Sequence, residues 1–173
     1  MKNEVFIGLV LICVITHICR TIYEILKHRH LLNPGKLSFA IMFTNMLLLW
    51  VSWFLLCRND ISRISIPGFI RFSGLALSAI GVIVFVTGLF TIKTLESYDG
   101  DLITGGIYSI IRHPMYAGFI LWLIGFPLYF GAVYSFLLSF LFIANILFWR
   151  HLEEIELEKR FPSYGEYRKT TLF

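Results

Sequence analysis

Five apolar runs separated by short polar connections leave this chain little freedom in how it folds. The runs cover residues 5–26, 37–57, 69–95, 114–130 and 132–149. A bilayer core about 30 Å thick is crossed by roughly 20 mainly apolar residues in a helix. Within that core, backbone N–H and C=O groups find no water, so a helix must satisfy them internally. Composition agrees: 57% of residues are hydrophobic, 15% are charged and mean hydropathy is +0.76, against about 25% charged in soluble domains. The expectation is an all-α integral membrane bundle of about five transmembrane helices with a short cytoplasmic C-terminal helix. Residues 1–173 form a single membrane domain, with three spans in 1–95. The last two runs are short and suggest a tight hairpin, with Gly125, Phe126 and Pro127 near its turn.

Basic residues near helix ends set the expected orientation. Arg20, Lys27, His28, Arg29, His30 and Lys36 cluster between the first two runs, and Arg150, Lys159, Arg160, Arg168 and Lys169 follow the fifth. Five spans place both clusters on one side, the cytoplasmic one, with the N-terminus outside. The pI near 9.1 then reflects topology, and no basic stripe with interleaved aromatics marks a nucleic-acid groove. The first run lacks a small-x-small cleavage site and a strongly basic start, so it reads as a retained helix. Cys13, Cys19 and Cys57 lie in or beside apolar runs without CxxC spacing. They read as structural thiols, and no metal site is expected.

Chemistry must come from the polar residues that remain, and two segments hold most of them. The first is LITGGIYSIIRHPMYAG, residues 102–118. Gly105 and Gly106 allow a turn or a close backbone approach, and Pro114 suits the first turn of a helix. Arg112 and His113 then stand just before that helix. A plainer reading makes Arg112 an interfacial anchor, His113 a cap, and Tyr108 and Tyr116 members of an aromatic belt. The second segment is RHLEEIELEKRF, residues 150–161. Helical spacing puts Arg150, Glu154 and Glu158 on one face, which a solvated helix leaving the membrane also explains. Phe161-Pro162 ends that helix, since proline biases its predecessor away from helical geometry.

Together, the order GGIYSIIRHPMYAG, an apolar hairpin, RHLEEIELEKRF, then Tyr164 and Tyr167 resembles the isoprenylcysteine carboxyl methyltransferase family. The related phospholipid methyltransferases share much of this pattern. The likeness covers roughly residues 102–168; the first three runs agree only in being hydrophobic. It implies an S-adenosyl-L-methionine-dependent methyltransferase, with 96–173 supplying the cofactor-binding loop, the hairpin and the C-terminal helix. By the same resemblance, Tyr108, His113, Pro114, Met115 and Tyr116 line the cofactor pocket. Gly100, Asp101, Leu102 and Ile103 join them, Glu154 contacts the cofactor, and Arg150 lies toward the methyl acceptor.

The chemistry is consistent with that placement. A sulfonium, an amino group and a carboxylate require charges of both signs, with apolar and aromatic walls for adenine. An ionised carboxylate acceptor needs no general base, and Arg150 would orient it through a bidentate guanidinium fork. An amine or thiol acceptor would need a base, for which His113 or Glu153 is available. The expected partner is a lipophilic, isoprenylcysteine-like or prenylated acceptor held in membrane lipid, with a phospholipid amine or small thiol as alternatives. A different class also stays open: a transporter or structural subunit, with His17, Arg20 and Asn45 as its polar path.

Overall fold

The computed structural model describes residues 2–32, 35–92 and 101–173. Among these the chain is all helix: α1 (Lys2–His28), α2 (Lys36–Arg58), α3 (Gly68–Ile92), one 3-10 turn (Gly106–Ser109), α4 (Pro114–Phe130), α5 (Val133–Arg160) and α6 (Tyr164–Thr170). Four helices, α1, α2, α3 and α5, are long and apolar enough to cross a membrane. The fifth, α4, has 17 residues and spans about 25 Å at 1.5 Å per residue. The bundle is therefore an integral membrane architecture, as expected. Its polarity is that of a protein in lipid: Ile7, Leu11, Ile15, Ile18 and Ile22 of α1 point outward, while Thr16, His17 and Glu24 are buried.

Two details differ from the sequence expectation. The charged segment 150–160 is not a separate tail, because α5 continues unbroken for 28 residues to Arg160. Nothing before Phe161-Pro162 interrupts its backbone hydrogen bonds, and the short C-terminal helix is α6. The turn between the last two runs also lies later than Gly125. Pro127 sits inside α4, and Gly131 ends that helix at φ 65°, a left-handed conformation that glycine adopts at little cost.

Gly125 serves packing instead. Gly74, Gly81 and Gly88 repeat every seven residues along α3 and face Gly125, Gly118 and Pro114 of α4. A Cβ on Gly81 would stand 2.6 Å from the Gly118 carbonyl oxygen, and one on Gly74 would stand 2.7 Å from that of Gly125. Small residues thus let two backbones meet where lipid offers no hydrophobic driving force for association. Elsewhere polar bonds join the helices. Asn145 of α5 donates to His17 Nδ1 at 3.0 Å and accepts from Thr21 at 3.0 Å, while Trp149 Nε1 donates to Thr21 at 2.9 Å. Asn45 of α2 donates to the Thr16 carbonyl at 3.1 Å. His17 and Asn45 therefore join helices by hydrogen bonds.

At the far end of the bundle, Asp60 caps α5 from a distant loop. Its carboxylate accepts from the Ser135 N–H and hydroxyl, each at 2.7 Å, and from the Ser62 N–H at 2.9 Å. The helix has no side-chain cap of its own at Ala132. Removing such a cap costs about 0.5–2 kcal/mol, so Asp60→Ala is expected to lower the unfolding midpoint in detergent by a few degrees. An unchanged midpoint would show that water replaces the carboxylate without loss.

Candidate active site

Between α3 and α4 the chain must turn back sharply, and its local sequence dictates how. Gly106 takes φ 61° and opens the 3-10 turn that carries Tyr108 inward. Pro114 then begins α4 at a position where its missing N–H is no loss. His113 precedes it with an extended φ of −124° and makes no side-chain cap. Its imidazole is free of capping and is directed into the protein, where it is 5% exposed.

That imidazole stands between adjacent carboxylates of α5. Nδ1 lies 3.7 Å from Glu153 and Nε2 lies 3.4 Å from Glu154, with the Tyr164 hydroxyl 3.3 Å from Nε2. Consecutive residues on a helix point about 100° apart, so the two glutamates serve different surroundings. Glu154 turns inward and also pairs with Arg112 Nε at 3.4 Å. Glu153 is more open and faces a cavity.

Arg112 ties this cluster to the C-terminal segment. Its guanidinium donates to the carbonyls of Thr171 and Arg168 at 2.9 and 3.1 Å. Its backbone N–H donates to the Leu172 carbonyl at 3.0 Å, and Leu172 N–H returns a bond to Ile110 at 2.8 Å. Tyr167 donates to the Tyr108 carbonyl at 2.6 Å. The tail and α6 are thus strapped across the RHP turn. Burial pushes the phenols of Tyr108, Tyr164 and Tyr167 up, so all three stay protonated near neutral pH.

The cavity measures about 340 Å³, within the range of small-molecule sites. Asp101, Leu102, Ile103, Tyr108, His113, Met115 and Tyr116 all line it. Gly100 lies outside the described residues. Pro114 is buried at the start of α4 but is not in the wall, and neither is Glu154, which holds His113 and Arg112 from behind. Arg150 is also outside the wall: its guanidinium sits 4.5 Å above the Phe173 ring. Sequence reasoning missed what α1 and α2 contribute, namely Arg20, Glu24, Phe39, Met42, Met46 and Trp50. An opposite-charge pair four residues apart inside an apolar run was the available signal for the first two.

Whether this cavity suits a sulfonium-bearing nucleoside is testable on its own atoms. Both signs of charge are present, with Arg112 and Arg160 against Asp101, Glu153 and Glu156. The Tyr108 hydroxyl and the Trp50 indole N–H are buried with no partner among the described residues, which leaves two polar atoms for a ligand. Phe39, Phe43, Phe85 and Phe119 supply apolar wall. The donor set fits.

Comparison with known proteins identifies the family. The family model for phospholipid methyltransferase matches residues 69–163, the stretch from α3 through the RHP turn to the end of α5. The protein-S-isoprenylcysteine O-methyltransferase of Schizosaccharomyces pombe is 33% identical over 85 residues, covering 45% of this chain and 34% of that protein. The matched part is thus about a third of that relative's length. No solved structure matches. With more than half of its length matched, from α3 to the end of α5, the chain belongs to the phospholipid methyltransferase family of membrane methyltransferases.

Proposed function

We propose that the protein transfers a methyl group from S-adenosyl-L-methionine to a carboxylate on a lipophilic, isoprenylcysteine-like molecule held in the membrane. One observation carries the reading: a single cavity is lined both by polar residues at and around the RHP turn, Asp101, Arg112, His113 and Glu153, and by apolar residues of α2, Phe39, Met42, Phe43 and Met46. Phe39 and Phe43 line the cavity and are also exposed on the apolar surface of α2, which supports sideways entry from the bilayer. The name of the yeast relative supports a prenylated acceptor. A phospholipid amine or small thiol is the alternative acceptor.

S-adenosyl-L-methionine, when bound, supplies a methyl group already activated on a positive sulfur. The chain's own residues then bind, orient and exclude water. Asp101, Leu102, Ile103, Tyr108, His113, Met115 and Tyr116 form the pocket, with Pro114 setting the turn; the family resemblance assigns Gly100 to the pocket as well. Glu153 faces the cationic end, and Glu154 positions His113 and Arg112 rather than touching the ligand. An ionised carboxylate is nucleophilic without losing a proton, so alignment supplies most of the rate. For an amine acceptor, the Glu153–His113 pair is placed to take the proton. Arg150, stacked on Phe173, is assigned to holding the tail. Walls drawn from both 1–95 and 96–173 support one functional unit.

We place the cavity end in the cytoplasm and the N-terminus outside. Lys27, Arg29, Lys36, Arg160 and Lys169 at that end support this under the positive-inside tendency, as does the need of a soluble cofactor for access. Purified protein in detergent should be stabilised by S-adenosylhomocysteine in a thermal-shift assay. It should also pass labelled methyl to N-acetyl-S-farnesylcysteine in preference to phosphatidylethanolamine or alkyl thiols. Tyr108→Phe removes the unpartnered hydroxyl and should weaken S-adenosylhomocysteine binding by roughly 5- to 15-fold, the worth of one neutral hydrogen bond. A folded wild type that shows no stabilisation would end the methyltransferase reading of this cavity.

A further inference from the structure

We propose that Arg20, held by Glu24 on the inner third of α1, anchors the anionic group of the membrane-borne methyl acceptor. This inference rests on the function proposed above and names the residue that reads the acceptor. Arg20 lies eight residues before the end of α1 at His28, about 12 Å along the helix axis. A charge at that depth is costly in a bilayer and is by default functional.

Both side chains line the cavity that holds His113 and Glu153. Their side chains are only 13% and 8% exposed, and one guanidinium nitrogen is ion-paired to Glu24. Arg20 Nε, in contrast, is buried without a partner among the described residues. The guanidinium is flanked by two aromatic faces, 5.5 Å from the Tyr23 ring centre and 6.0 Å from that of Trp149. Trp149 is itself fixed by its bond to Thr21. The result is a planar, oriented guanidinium whose Nε is unused, in a cavity that also holds the polar residues of the RHP turn and the apolar residues of α2.

Charge geometry favours an anion as its occupant. Glu24 pairs with one guanidinium nitrogen, and a guanidinium presents five N–H donors suited to carboxylate or phosphate oxygens. Arg150, the arginine that resemblance assigns toward the acceptor, is turned to Phe173 and leaves that task unfilled. Arg20 and Glu24 also lie outside the family match at 69–163. The family-shared helices would then hold the cofactor while α1 and α2 select the acceptor. A carboxylate on a prenylated cysteine and the phosphate of a phospholipid share the chemistry that this fork recognises.

The test compares wild type, Arg20→Gln and Arg20→Lys in lipid nanodiscs with S-adenosylhomocysteine bound. Probes are N-acetyl-S-farnesylcysteine, its uncharged methyl ester, and phosphatidylethanolamine. Wild type should bind one anionic probe at least about ten-fold more tightly than the ester, reflecting a charge-assisted bond. The carboxylate and phosphate arms identify which source of anion it takes. Arg20→Gln should erase that preference and, with any acceptor turned over, raise its KM roughly 10- to 100-fold at unchanged cofactor affinity. Arg20→Lys should recover part of the preference, since the charge stays and the fork is lost. Equal discrimination in Arg20→Gln and wild type, or no anion preference in wild type, overturns the proposal while the cofactor reading stands. Loss of S-adenosylhomocysteine binding in Arg20→Gln also overturns it, because Arg20 would then support the cofactor site. Absence of that binding in wild type is instead the failure of the methyltransferase reading.

Discussion

Glu154→Ala is expected to lose S-adenosylhomocysteine binding by more than 100-fold and to unfold at a clearly lower temperature than the wild type. The carboxylate has Arg112 and His113 as partners, each 3.4 Å away, and both partners are shielded from water. Removing one member of a buried pair leaves the other charge without compensation, a loss of about 3–5 kcal/mol. Arg112 would retain its bonds to Thr171 and Arg168, so the tail strap weakens without vanishing. His113 would lose the group behind it and with it the orientation toward the cavity. Glu154→Gln keeps an acceptor oxygen and should fall between alanine and wild type. Glu153→Gln provides the contrast: it faces the cavity and is 40% exposed, so binding should weaken about ten-fold with little change in midpoint. Were Glu153→Gln the destabilised variant and Glu154→Ala the stable one, the two roles would have to be exchanged.

The adjacent glutamates also show what a sequence can and cannot convey. Long apolar runs declare their helices directly, because residue type alone satisfies the bilayer, and Phe161-Pro162 stops α5 as its chemistry requires. Which of Glu153 and Glu154 faces a ligand depends on the rotation of α5 against α4. A residue string does not contain that rotation. Arg150 was legible as a charge near the site but not as a partner of Phe173, since that contact arises from tail folding. The α4–α5 turn was misplaced for a different reason. Gly125 and Gly131 look alike in sequence, yet one permits a helix contact and the other a left-handed φ. The seven-residue spacing of Gly74, Gly81 and Gly88 was readable, and marks a helix face too small to be anything but a contact. Arg20 and Glu24 were present as an i, i+4 pair in an apolar run. Only the packing of α1 against α5 shows that they line the cavity.

Gly118→Leu is expected to abolish the folded bundle, or to lower its midpoint by more than about 10 °C. A Cβ at this position would lie 2.8 Å from the Phe85 backbone nitrogen and 3.0 Å from its Cβ. The Gly81 carbonyl stands closer still. Overpacking a core commonly costs 1–3 kcal/mol when side chains can shift. Here the obstacles are largely the backbone of α3, so relief requires the two helices to separate. Separation would not remain local. Gly88 of α3 rests on the Pro114 ring, with a Cβ there only 2.8 Å from Pro114 Cγ, and Pro114 follows His113 directly. The close α3–α4 contact therefore sets the height at which Arg112 and His113 meet α5. Graded substitution should show this coupling: Gly118→Ala, if it folds, is expected to lose S-adenosylhomocysteine affinity along with stability. Gly8→Ala, where an added Cβ meets nothing within 4 Å, should match wild type in both measurements. Monodisperse, ligand-binding Gly118→Leu protein with a wild-type midpoint would mean that α3 and α4 do not meet backbone to backbone.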